Sequence, residues 1–489
     1  MQIKQNISLR LALVAAACAS LVGCADFSGI RSESKLRDAA SVGLDAKAAP
    51  PVAAIGARWW QAYGDQQLDQ LIEQAERDSP SLRLAQVRLR RALAATQFAE
   101  SASRPQVNAS LDATHQLFTK TGLIPPPLAG TVQDTATLQL GASWELDFFG
   151  KNRAALDAAL GHARATEVDA AAARVLLESS ITRTWLRLVA LTSQLEVAQR
   201  TLQQREETLG LVKQRIEAGL DSQLELRQAE AALPEARRQI EALQEQLTIT
   251  RHALAALIGQ PQAEPVAVVP TLAAVHPLTA PTALPADLLG RRPDVLAARW
   301  RVEAATSDVQ SAKAQFYPNV NLIAYAGYSS IGFDRLLQND SQQWGVGPAV
   351  RLPLFEGGRL RANLRGRTAD LDQAIESYNA TVIDAVRDVL DQLSSLQGIA
   401  RQQEQQQQAQ QAAEAAYSLA RQRYEAGLGS YLQVLSAETA VLDQRRLAVD
   451  LQARLLDTQV ALVRALGGGY RPDESVALAP QPASPETAH

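Results

Sequence analysis

The chain has 489 residues, with 48 basic against 52 acidic, a formal net charge of −4 and no basic block, which argues against nucleic acid as a partner. Aromatics make up only 5% while alanine and glutamine are abundant, a mix that favours long helices over one large compact core. The five histidines are scattered without metal-ligand spacing, and there is no P-loop, nucleophile elbow or dinucleotide turn, so neither an enzyme nor a cofactor is expected.

Residues 1–23 read as an export signal: Lys4 and Arg10 precede an apolar run from Leu11 to Val22 that is too short to span a bilayer comfortably. The run ends in "LVGC", Leu21 to Cys24, which resembles a bacterial lipoprotein box. Cys24 would then become the first residue and carry the lipid; an ordinary signal with an incidental cysteine is the alternative. Ala25 follows where an aspartate would retain an enteric lipoprotein inside, which suits export to the outer membrane. Cys18 would leave with the signal, so the mature chain can form no internal disulfide. Residues 24–57 read as the lipidated linker.

Two stretches then alternate with period two. Val107, Ala109, Leu111, Ala113 and Leu117 share one face of the first; Val132, Ala136, Leu138, Leu140, Ala142, Trp144, Leu146 and Phe148 share one face of the second. Ser, Thr, Gln and Asn dominate the opposite faces. A proline-free run of 67 residues follows, Lys151 to Glu217, which as a helix would span roughly 100 Å. From Leu177 to Ile216 its apolar residues step by four and three, and the return arm does so from Leu226 to Leu257, the seam of a left-handed coiled coil. Pro234 should bend that return arm.

The turn between the arms recurs. Gln214–Glu230 and Gln422–Glu438 agree at ten of seventeen positions. Gly219 suits the left-handed position after a helix, Leu220 the apolar residue behind it, and Ser222 with Glu225 a capping box. Gly427, Leu428, Ser430 and Gln433 repeat the pattern, so both stretches read as helical hairpin tips. The whole first half recurs after a linker at 261–287. Val320, Leu322, Ala324, Ala326 and Tyr328 alternate, as do Trp344, Val346, Val350, Leu352 and Leu354, and Arg359 to Glu425 is again 67 residues without proline. Pro348 interrupts its strand and is expected at an edge or under strain.

A cytosolic coiled-coil rod would account for the helices and a soluble half-buried sheet for any one strand. Four long alternating strands point instead to a transmembrane β-barrel. With both ends of each strand pair in the periplasm, Trp144 and Phe148 would sit at the inner rim and Tyr328 and Trp344 at the outer rim, an aromatic belt at each interface. Residues 119–130 and 329–342 would then face outside the cell. Four strands cannot close a membrane barrel, so copies must combine. Two would give eight strands and a filled interior; three would give twelve and room for water, which the polar face favours.

In this order the pieces resemble the TolC-like outer-membrane efflux family, in its lipoprotein (NodT or OprM-type) branch. The motifs that carry the resemblance are "RWWQAYGDQQLDQLI" at Arg58, "SWELDFFGKNR" at Ser143, "LLGRRPDVLAAR" at Leu288 and "LPLFEGGRLRANL" at Leu352. The repeats span 58–260 and 288–470, with a tail at 471–489. The resemblance implies a fold of α plus transmembrane β-barrel: a homotrimer with a twelve-stranded barrel in outer-membrane lipid above a periplasmic α-barrel of coiled-coil hairpins. It also implies a passive exit duct for small molecules, joined by a periplasmic adaptor (membrane-fusion) protein to an inner-membrane pump of RND or MFS type. A duct for type I protein secretion and a structural envelope lipoprotein are the rival functions. Gly219, Leu220, Gly427 and Leu428 are the expected adaptor surface. A gate is expected where Arg423 and Tyr424 bond Asp221 and Glu225, with an apolar ring at Leu432. Relatives of this type carry a carboxylate ring four residues beyond that leucine, where this chain has Ser436.

Overall fold

The computed structural model describes residues 27–38, 41, 55–262, 266, 269–278 and 288–471; Cys24 and the export signal lie outside the described residues. From its 22-residue helix onward, each half of the chain forms the same series. In the first, Asp65 caps α1 (Gln66–Asp78) by accepting the Leu68 N–H at 2.8 Å. Then come α2 (Pro80–Ser101), β1 (Gln106–Leu117), β2 (Val132–Leu146), α3 (Lys151–Glu217) and α4 (Gln223–Leu257). A single turn, Leu288–Arg291, opens the second half. After it come α5 (Pro293–Ala314), β3 (Asn319–Ile331), β4 (Gln342–Arg351), α6 (Arg359–Glu425) and α7 (Tyr431–Ala465). Counterparts match in length: 22 residues for α2 and α5, 67 for α3 and α6, 35 for α4 and α7. The long helices begin and end where the proline-free runs do, and α4 continues through Pro234.

The chain divides into two compact units. One takes in residues up to Leu36, Arg88–Thr166 and Ala298–Tyr378. It contains the sheet, antiparallel throughout in the order β1-β2-β3-β4. Directly paired residues lie on the same face of a sheet. The register runs Ala109–Leu140–Ala326–Trp344 across all four strands and Leu111–Leu138–Tyr328 across three, so the apolar faces of separate strands join into one. That face is bare: Val107, Leu111, Leu140, Trp344, Val346 and Val350 are all exposed. On the polar face Ser110 meets Gln139 and Thr137 meets Ser329. Ile323 and Tyr325, at the alternate positions of β3, are apolar exceptions on that face. Gly345 leaves room for the second: a Cβ on it would stand 2.7 Å from the Tyr325 ring. Pro348, opposite Leu322, lies in the outer strand β4, the edge position expected of it.

The other unit takes in Arg37–Val87, Glu167–Ala297 and the chain from Asn379 onward. Its core gathers Trp59, Trp60 and Tyr63 with Ile181, Trp185 and Leu188 of α3, Leu254 of α4 and Val460 of α7. Trp59 and Trp60 meet edge to face at 5.8 Å between ring centroids. The "RWWQAY" motif is therefore a plug of buried aromatic surface, the side-chain type that contributes most per residue to a core.

One pair of counterparts behaves differently. On α5, Val295, Ala297, Trp300, Val302 and Ala304 are buried, whereas on α2 only Leu82 is. Leu84, Val87, Leu93 and Phe98 of α2 are exposed, Phe98 at 82%.

Candidate gate and docking site at the hairpin tips

Both hairpins turn with one geometry. At the first tip the Leu220 N–H donates to the Arg215 carbonyl at 2.8 Å and the Gly219 N–H to Ile216 at 2.9 Å. At the second, Leu428 donates to Arg423 at 2.7 Å and Gly427 to Tyr424 at 3.0 Å. This pair of bonds is the Schellman turn, which needs a left-handed residue, and Gly219 and Gly427 both have φ +75°. Leu220 and Leu428 follow at 63% and 71% exposure, open to a partner.

The helix starts after the two turns differ. At α4 the Ser222 hydroxyl accepts the Leu224 N–H at 3.1 Å, while the Glu225 carboxylate accepts the Ser222 N–H at 3.0 Å. The matching box expected of Ser430 and Gln433 does not form, since the Ser430 side chain makes no capping bond. A neutral amide is a weaker acceptor than a carboxylate, and Gln433 Oε1 lies instead over Gly429, 3.1 Å from where a Cβ would stand. Glu225 is committed to its own helix start and is not part of a link between hairpins.

Asp221 makes that link. The Tyr424 hydroxyl donates to Asp221 Oδ2. Arg215 Nε donates to the same oxygen at 3.0 Å, and Arg215 Nη1 donates to the Tyr424 carbonyl at 2.9 Å. The guanidinium lies 4.4 Å from the centroid of the Tyr424 ring. The expected cation is thus corrected: Arg215, not Arg423, meets Asp221. Arg423 is exposed and donates to the Leu428 carbonyl at 3.3 Å. Its equivalent acid is missing, because the second tip has Gly429 where the first has Asp221.

Burial gives the link its strength. The Arg215 and Asp221 side chains are 10% and 9% exposed, and Tyr424 is 1% exposed. Hydrogen bonds to charged groups are worth about 1.5–3 kcal/mol each, and removing one member of a buried ion pair costs about 3–5 kcal/mol. Burial first, and the Asp221 carboxylate second, hold the Tyr424 phenol well above its usual range, so it stays a donor at physiological pH. Tyr431 packs beside it at 5.9 Å between centroids, among buried Val212, Tyr417 and Val434.

A second link was not foreseen. Arg205 Nε stands 3.5 Å from Glu438 Oε2, with side chains 15% and 7% exposed. Arg205 Nη1 also donates to the Ala232 carbonyl at 2.9 Å. Burial raises the Glu438 carboxyl above its usual range against the opposing pull of Arg205. The signal was present in the sequence: Arg205 occupies a seam position, and a charge there requires a buried partner.

The other expected residues lie apart from the tip links. Leu432 is exposed on α7, as is its counterpart Leu224 on α4. Trp144 and Trp344 are exposed on the apolar face of the sheet, with half-buried Tyr328, and Phe148 is exposed just beyond β2. Trp144 Nε1 donates to the Ser103 carbonyl at 2.9 Å.

Residues 71–260 and 284–468 match the family model described as "Outer membrane efflux protein". The fusaric acid resistance protein FusA of Burkholderia cepacia is 39% identical over 367 residues, 74% of this chain and 68% of that protein. The pyoverdine export outer membrane protein OpmQ of Pseudomonas putida is 33% identical over 423 residues, 85% of this chain and 89% of that protein. Among solved structures, the outer membrane protein VceC of Vibrio cholerae superposes with a TM-score of 0.80 at 35% identity, covering 85% of this chain and all of that one. The duplicated strand-and-hairpin architecture and these matches agree: the chain belongs to the outer membrane efflux protein family and is an outer-membrane efflux channel.

Proposed function

We propose that the chain works as one third of the exit duct of a tripartite pump, anchored by a lipid on Cys24. The observation that carries this reading is the bare sheet. An apolar face open across four strands, with β1 and β4 unpaired at its edges among the described residues, is intolerable in lipid unless further strands close it. Three copies give twelve strands and a water-filled interior lined by the polar face. The uncovered face of α2 also calls for neighbouring copies, since its twin α5 is buried within one chain. Trp144 with Phe148, and Tyr328 with Trp344, then form the inner and outer aromatic belts.

The tips are the periplasmic end. Leu220 and Leu428, two per chain and six per trimer, form with Gly219 and Gly427 the surface for a periplasmic adaptor, which connects the duct to an inner-membrane pump of RND or MFS type. The buried set of Arg215, Asp221 and Tyr424 holds the second hairpin to the first and keeps the duct closed at rest, with Leu432 as an apolar ring. Small molecules pass passively; the pump supplies the energy. Mass measurement of the purified protein in detergent should give three chains, and planar bilayers should show discrete channel openings. A stable monomer with full strand content would overturn the reading.

A further inference from the structure

The segment from Phe27 to Leu36 is strapped to the helices just beyond the sheet. Asp372 of α6 accepts the Ser32 hydroxyl at 2.5 Å and the N–H groups of Glu33 and Ser34 at 3.2 Å each. Above these bonds, Phe27 meets Phe316 edge to face at 5.9 Å and packs with Ile30 against buried Val309, Ala312 and Leu364. Two cations converge on the same point. Lys313 Nζ lies 6.0 Å from the centroid of the Phe27 ring, and Arg361 Nη2 donates to the Ser28 carbonyl at 3.1 Å. Arg31 on the strap is exposed, as is Arg365 one turn beyond Arg361. The side chains of Arg31 and Arg365 make no ion pair among the described residues.

We propose that this basic patch binds the phosphate headgroups of acidic phospholipid in the inner leaflet of the outer membrane. The inference rests on the anchor and barrel read above. Cys24 is three residues from Phe27, at most about 11 Å of extended chain, so its lipid holds Phe27 at the depth of the membrane interface. Aromatic rings favour that depth. The exposed Phe148, Leu354 and Phe355 beyond the strand ends supply apolar surface, and acidic headgroups complement the charges of Arg31, Lys313 and Arg365. The strap thus acts as a register that sets how deep the barrel sits, with lysine and arginine at the phosphate layer.

The test is native mass spectrometry of the full acylated protein in mild detergent, titrated with phosphatidylglycerol or phosphatidylcholine. Phosphatidylglycerol should be retained preferentially, and binding should fall by about fivefold for each cation removed. Arg31→Gln with Arg365→Gln breaks no ion pair among the described residues and tests charge; adding Lys313→Gln should deepen the loss. Arg446→Gln, outside the patch, should change nothing. Equal retention of both lipids, or full retention by the variants, would overturn the site. So would displacement of the lipid by an equal concentration of inorganic phosphate, which would mark a site for the free ion. The same spectra read the anchor: an unmodified Cys24 with the lipid preference intact removes the anchor and leaves the site standing, while an acylated chain without the preference does the reverse.

Discussion

Arg215 and Arg423 hold equivalent places in the two repeats, yet among the described residues only Arg215 meets an acid. Asp221→Asn should therefore break the links of both Arg215 and Tyr424, a loss of about 3 kcal/mol per chain, and raise single-channel conductance in bilayers. Arg215→Gln with Tyr424→Phe should act in the same direction, while Arg423→Ala alone should stay close to the parent. A correctly assembled Asp221→Asn trimer with unchanged conductance would place the constriction elsewhere. A second residue-scale prediction concerns Glu178, 5% exposed and bonded to Arg174 Nε at 3.0 Å. Burial, then the neighbouring Glu76, raise its carboxyl from 4.5 to about 8, with Arg174 pulling the other way. Because the folded value lies above the unfolded one, its contribution is full below about 4.5 and is lost as pH rises towards 8. A tenfold change in a group's proton affinity is worth roughly 1.4 kcal/mol, so the effect is large enough to measure. Thermal unfolding in detergent should weaken across that window in the parent and weaken less in Glu178→Gln. Parallel pH slopes would mean that Glu178 stays ionised.

At the scale of elements, the turn geometry was legible because it depends on local backbone chemistry. Gly219 and Gly427 must be glycine-like to reach φ +75°, and the bonds of the Schellman turn follow from that. The capping box was legible only where a carboxylate stood. Ser430 with Gln433 looked equivalent to Ser222 with Glu225, but Gly429 gave the amide another place to lie. The exposed leucines behind the glycines carry a prediction of their own. Leu220→Asp with Leu428→Asp leaves both turns intact, so trimers should still assemble while adaptor-dependent drug export falls. Full export by such trimers would mean that the adaptor docks elsewhere.

At the scale of the molecule, duplication is the organising fact, and the unequal burial of one pair of twins is informative. The two 22-residue helices occupy the same place in their repeats, but α5 is buried and α2 is bare. In the proposed assembly a neighbouring copy covers α2. Val87→Asp with Phe98→Asp should then lower the fraction of trimer measured by mass in detergent, with strand content retained as long as the chain folds. An undiminished trimer would show that this face stays open.

The periodicities alone determined a great deal. Alternation predicted all four strands and which of their faces is apolar, because a side chain's face in a strand depends only on its own position. The 67-residue helices and the tips were equally local matters of proline, glycine and heptad spacing. Partner choice was not local. The register that joins four apolar faces into one, the pairing of Asp221 with Arg215 and Tyr424, and the counter-charge for Arg205 all depend on contacts between residues far apart in the chain. From sequence, Asp221 is expected to meet Arg423; packing gives it to Arg215, which has that carboxylate within reach and a buried place in which to hold it.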